Sequence, residues 1–179
     1  ARGSAREARV KVANAPDQLE PRPRAVAIGS FDGVHRGHRA VLDTAKSLEA
    51  KGLAKVTYLP VDKQGMVNPQ DVRNAITDKT VLISIMLANN EIGTINPIQE
   101  IGKIAREKDC IFMVDAAQTA GVCEIDVNEY FIDMLAFTGH KGPLGPTGTG
   151  GLYVGERLTL DPWREGGTGF EPASLSQPE

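Results

Sequence analysis

Three short apolar runs, each broken off by a polar cluster, constrain this chain more than any other feature. Val81–Leu87 (VLISIML) gives way to Ala88-Asn89-Asn90-Glu91, and Ile111–Val114 (IFMV) ends in Asp115. Ile132–Phe137 (IDMLAF) runs into Thr138-Gly139-His140-Lys141. Runs this short and this apolar have the length of strands, and strands covered on both faces belong to a parallel sheet wrapped by helices. The segments between them supply the helices. Pro97 opens one through Arg106, with Ile98, Ile101, Ile104 and Ala105 on one face. Pro69 opens a shorter one through Ile76. Upstream, Ala25–Ile28 reads as a buried strand ending at Gly29. Arg39–Ala50 carries Val41, Leu42, Ala45 and Leu48 at helical spacing and stops at Gly52. Lys55–Val61 and Gly151–Val154 read as further strands.

This alternation predicts an α/β fold, a mainly parallel sheet with flanking helices, and chemistry at the carboxyl ends of its strands. Residues 1–23 are polar, Arg-rich and interrupted by Pro16, Pro21 and Pro23, which predicts a loose arm or a poorly anchored edge segment. The Gly/Pro/Ser-rich stretch after Trp163 predicts a loop.

Composition narrows the partners. A net charge of −3 without a basic stripe argues against nucleic-acid binding. No apolar run approaches membrane-spanning length, and the basic start (Arg2, Arg6, Arg9, Lys11) lacks the apolar stretch of a secretion signal. The two cysteines, Cys110 and Cys123, have no ligand spacing, so no metal site is expected. Reduced thiols in a cytoplasmic protein are the expectation.

The three polar clusters hold an amine (Lys141), a carboxylate at an apolar strand end (Asp115), amides (Gln118, Asn90) and an imidazole (His140). A Gly-rich stretch, GPLGPTGTGG, follows the lysine and permits close backbone approach. Taken singly, each residue has a plain alternative. A lysine after a strand is usually solvated, an aspartate there caps a helix as often as it acts, and Asn-Asn-Glu is by default a turn. From the residues alone the reading is an α/β enzyme with a polar site where strand ends converge.

The blocks LISIMLANNEIGTINPI, IFMVDAAQTAG and DMLAFTGHKGPLGPTGTGGLYV resemble, in order and spacing, three signature blocks of the cysteine desulfurases. Those enzymes belong to the class V aminotransferase group of fold-type I pyridoxal-phosphate (PLP) enzymes. The likeness spans roughly residues 38–179 and implies part of the large domain of such an enzyme. It implies Lys141 as the lysine that forms an imine with the cofactor and shuttles protons. Asp115 would partner the pyridinium nitrogen, and Gln118 would donate to the phenolic oxygen. Asn90 would be a cofactor- or substrate-facing amide, and Thr138 and His140 phosphate ligands. A block similar to HRAVLDTAKSLEAKG maps the ring-stacking histidine onto His38, and Thr168 falls near a phosphate contact made by the second subunit. The implied substrate is L-cysteine, converted to alanine with sulfur passed to an enzyme thiolate. A sulfur-acceptor protein and a homodimer are implied as well.

Residues 25–38, AVAIGSFDGVHRGH, resemble a different family, the nucleotidyltransferase module of bifunctional riboflavin kinase/FAD synthetases. There the implied nucleotide site is Gly29, Phe31, Asp32, Gly33, His35 and His38, with the two histidines facing ATP phosphates. The two likenesses meet at His38. The expected organisation is therefore an arm and strand–turn segment over 1–38 and a PLP-enzyme large-domain fragment over 39–179, joined near residues 38–44. The family's phosphate-binding Thr turn is not found in residues 1–37, and neither cysteine matches its sulfur-accepting cysteine. Weak PLP affinity, little turnover by the chain alone and exposed apolar surface follow as expectations. A nucleotide-binding module and an inactive chimeric fragment stand as alternatives.

Overall fold

The computed structural model of this protein describes residues 9–10, 24–28 and 45–160. The chain divides into two compact units, residues 21–156 and a second unit formed by residues 1–20 and 157–179. In the second unit β1 (Arg9–Val10) pairs in parallel with β8 (Thr159–Leu160).

In the larger unit β2 (Arg24–Ile28), β3 (Ala54–Tyr58), β4 (Thr80–Met86), β5 (Ile111–Asp115), β6 (Met134–Thr138) and β7 (Gly150–Val154) form a six-stranded sheet in the order β3-β2-β4-β5-β6-β7. All neighbours run parallel except β7, which returns antiparallel along β6. The sequence predicted the parallel set; the reversal at β7 follows from the short connection after Lys141, which is too brief for a crossover helix. Strand order reverses at β2: the chain goes to one side for β3 and to the other for β4. In doubly wound sheets, ligands gather at the carboxyl ends beside such a reversal.

The helices form where their local signals predict. In α1, residues 45–50 are helical, and the turn closes at Gly52 (φ +68°), whose N–H donates to Glu49 O at 2.9 Å. Asn68 caps α2 (Pro69–Ala75), its side chain accepting from Gln70 N. Pro97 sits at the N-cap of α3 (Ile98–Glu107), one position before the helix proper. Ile98, Ile101, Ile104 and Ala105 are all buried, as their spacing requires, and join Phe112, Val114, Ile83 and Ile85 in one core.

Two strand limits and the cover of one strand residue differ from expectation. β3 stops at Tyr58 because Pro60 has no N–H for the ladder; Val61 pairs instead in an isolated bridge with Val67. β6 starts at Met134 rather than Ile132, after a left-handed residue at Phe131 (φ +55°). Val81, expected to be covered on both faces, is 38% exposed; it falls at the irregularity where the pairing of β4 with β2 passes from Thr80 to Leu82.

Two buried polar side chains tie the body together. Asn96 accepts from Val67 N at 2.9 Å and donates to Met86 O at 2.8 Å, joining the start of α3 to the end of β4. Asp133 is 2% exposed; its Oδ2 accepts from Phe112 N at 2.8 Å, and Oδ1 lies 3.5 Å from Arg106 Nη2.

Candidate active site at the ends of β4, β5 and β6

Asp115 is the last residue of β5, paired with Met86 on one side and Ala136 on the other. It is half-buried, and its Oδ1 accepts from Ala117 N at 2.8 Å, which fixes the carboxylate over the turn that follows. That turn carries Gln118, also half-buried, and is wound by Thr119 N and Ala120 N donating to Ala116 O at 3.0 and 2.9 Å. Ala116 N donates to Ala136 O at 2.8 Å, so the turn stays registered on β6 as it leaves the sheet.

Thr138 ends β6, and its hydroxyl donates to Ala117 O at 3.4 Å. That length is weak for an O–H···O bond, so a better acceptor outcompetes it. His140 is exposed and Lys141 half-buried. The segment after the lysine folds back on itself: Leu144 N donates to Lys141 O at 2.9 Å, and Gly145 N to Gly139 O at 2.7 Å. After β4, Asn89 is buried and accepts from Glu91 N at 2.8 Å and Ile92 N at 3.1 Å. The Asn-Asn-Glu segment is therefore a turn built by Asn89, which leaves Asn90 exposed.

The structure thus brings Asp115, Gln118, Thr138, His140 and Lys141 to the adjoining ends of β5 and β6, with Asn90 beyond β4. His38 and Thr168 lie outside the described residues, as do Gly29, Phe31, Asp32, Gly33 and His35. An amine, a carboxylate, a primary amide, a hydroxyl and an imidazole are the donor set that suits an aldehyde-bearing pyridine phosphate. The amine can attach covalently, the carboxylate can stabilise a protonated ring nitrogen, and the neutral donors match phenolate and phosphate oxygens. Among the described residues no group of His, Cys, Asp and Glu could hold a metal ion, and no helix is long and apolar enough to cross a membrane.

Sequence reasoning missed two buried polar residues, Thr119 in the turn of this site and Asp133 at the other end of the strands. Thr119 is 2% exposed, and its hydroxyl has no hydrogen-bond partner among the described residues. A threonine in a polar turn gives no signal of such burial. Asp133, between two apolar residues, did carry a signal: a carboxylate there must be partnered. Elsewhere, a cavity of about 460 Å³ opens at the start of α3, lined among others by Asn96, Gln99, Cys123, Glu124 and Tyr130. None of the residues predicted for the site lines it. Cys110 is buried and Cys123 half-buried.

Comparison with known proteins supplies what geometry alone does not. The family model described as Aminotransferase class-V matches residues 11–178. The cysteine desulfurase IscS of Methanosarcina thermophila is 54% identical over 130 residues, covering 73% of this chain and 32% of that protein. IscS of Clostridium botulinum is 49% identical over the same length. The chain spans about a third of the length of these curated relatives. Among solved structures, an apo cysteine desulfurase from Thermococcus onnurineus superposes with a TM-score of 0.68 at 34% identity, covering 76% of this chain and 33% of that one. The structure titled SspA in complex with cysteine gives 0.71 at 39%, covering 82% of this chain and 41% of that one.

Proposed function

Because this chain belongs to the aminotransferase class-V family, we propose that it is the lysine-bearing part of a PLP-dependent cysteine desulfurase, which converts L-cysteine to L-alanine and passes the sulfur to an enzyme thiol. What supports the reading is the joining of the Asp115 turn to the Lys141 segment by the pairing of β5 with β6 and the Ala116 N–H donating to Ala136 O at 2.8 Å. When bound, PLP supplies an aldehyde and an electron-accepting ring. Lys141 would hold the cofactor through its amine and carry a proton at Nζ. Asp115 keeps the proton on the ring nitrogen, and Gln118 donates its amide N–H to the phenolic oxygen. Thr138 and His140 would donate to phosphate, Thr168, outside the described residues, would contribute across a homodimer, and Asn90 would serve cofactor or substrate. His38, outside the described residues, would be the histidine that partners the ring and assists proton transfer. Cys110 is in the core, its Sγ donating to Thr80 O at 3.5 Å, so it is closed to sulfur. A sulfur-acceptor protein would take the product sulfur onward, toward iron–sulfur cluster assembly. A reducing cytoplasmic setting suits the two cysteines.

The test is direct. Adding PLP to the purified chain is expected to raise a visible absorbance band, and borohydride is expected to fix the label on Lys141. A stable label on any other lysine would end the assignment.

A second reading concerns residues 25–38, with 1–38 as a separate segment joined to a PLP-enzyme part over 39–179. The Gly29–His38 motif follows directly on β2, the strand at which the sheet order reverses. On this reading Mg-ATP binds there and His35→Ala weakens it about tenfold or more, by removing one charge-assisted contact worth ~1.5–3 kcal/mol. PLP binding is expected not to respond to His35→Ala. A calorimetric titration with no ATP heat discards the nucleotide site.

A further inference from the structure

The segment carrying Lys141 and the turn carrying Asp115 and Gln118 meet at two glycines, backbone against backbone. A methyl group built on Gly121 would lie 2.6 Å from Gly142 C, 2.8 Å from Gly142 O and 2.9 Å from Pro143 N. One built on Gly142 would collide with Ala120 O and lie 2.7 Å from Val122 Cγ2. Real Cβ contacts do not fall below 3.0 Å, and the blocking atoms are mostly main chain, which cannot swing aside. Gly121 also needs its left-handed backbone (φ +78°), whereas Gly142 is not among the residues with positive φ.

Both sides of the contact are stiff. Val122 N and Cys123 N donate to Thr119 O at 3.0 and 2.8 Å, and Leu144 N and Gly145 N close the lysine segment at 2.9 and 2.7 Å. A shift imposed at Gly142 is therefore passed to its chain neighbour Lys141 rather than absorbed locally. We propose that Gly121 and Gly142 are positioning residues: their mutual contact sets the distance between the Lys141 amine and the Asp115–Gln118 turn. This rests on the PLP reading given above. A displacement near 1 Å at a reacting group costs on the order of 100-fold, so a contact that sets this spacing bears on covalent attachment more than on retention of the ring and phosphate.

The experiment uses the full chain with PLP and three variants. Gly142→Ala and Gly121→Ala close the contact, and Gly148→Ala is the control. Gly148 also has positive φ (+89°), but nothing lies within 4 Å of its added methyl, so it carries backbone strain without the collision. Gly142→Ala is expected to lower the rate of borohydride-stable attachment at Lys141 by roughly 10- to 100-fold. It should also lower the fraction of bound PLP that is covalent. Gly148→Ala is expected to lower the melting temperature while leaving that fraction unchanged. Attachment at the unaltered rate in Gly142→Ala, or an equal loss in Gly148→Ala, overturns the proposal.

Should Gly142→Ala not fold, native-state hydrogen exchange on the unaltered chain decides. The amides of Val122 and Cys123 and those of Leu144 and Gly145 are expected to open as one unit. Separate opening overturns the proposal. If the unaltered chain takes up no PLP, the PLP reading fails, and the exchange result alone judges the contact.

Discussion

Lys141→Ala is expected to abolish borohydride-stable labelling by PLP and to remove the visible absorbance band of the covalent form. The effect should be all-or-none for attachment, because methyl cannot replace a nucleophilic amine. Lys141→Arg should fail as completely: a guanidinium keeps the positive charge but never gives up its proton in a protein, so it presents no lone pair. Non-covalent PLP should still bind, held by the donors of Gln118, Thr138 and His140, with affinity lower on the order of 100-fold for loss of the tethered bond. Thermal unfolding followed with and without PLP reads this second effect, since a ligand that binds only the native state raises the melting temperature by mass action. Labelling that survives in Lys141→Ala would transfer the role to another lysine and break the link drawn between the ends of β5 and β6.

The second large effect concerns stability. Asp133→Ala is expected to destabilise the larger unit by about 2–4 kcal/mol, because it strands a buried N–H and removes a charge-assisted acceptor. The side chain is almost fully buried and accepts from Phe112 N at 2.8 Å, beside a phenylalanine that is itself 0% exposed. Alanine at this position leaves that N–H without its carboxylate acceptor. Asp133→Asn keeps an oxygen of the same shape and should cost roughly half as much. Arg106→Ala should cost under about 1 kcal/mol, since that side chain is 45% exposed and its contact with Asp133 is 3.5 Å long. Urea unfolding of the three variants gives the ranking. If Arg106→Ala matches Asp133→Ala, the ion pair and not the Phe112 hydrogen bond holds the residue, and the account of this site is wrong.

These two residues show why only part of the site was legible. Asp115 and Asp133 are both aspartates next to apolar strands, and sequence singled out the first. In space they mark opposite ends of neighbouring strands: Asp115 closes β5 where the polar cluster lies, while Asp133 precedes β6 and accepts from Phe112 near the start of β5. Strand direction separates them, and direction is visible in sequence only through the order of the elements. Asn89 and Asn90 divide in a similar way. A turn and a site residue were weighed as rivals for the same segment, yet one asparagine builds the turn and the other is exposed by it.

The sequence by itself determined the elements with a strong local pattern: the α3 stripe of Ile98, Ile101, Ile104 and Ala105, the apolar strands β4 and β5, and the small residues leading to Lys141. Hydrophobic period and chain breakers are local quantities, so they survive being read one segment at a time. Tertiary structure alone decided that β2 lies between β3 and β4 and that Gly121 meets Gly142. Those outcomes depend on which distant segments pack together once their apolar faces leave water, and no single segment carries that information.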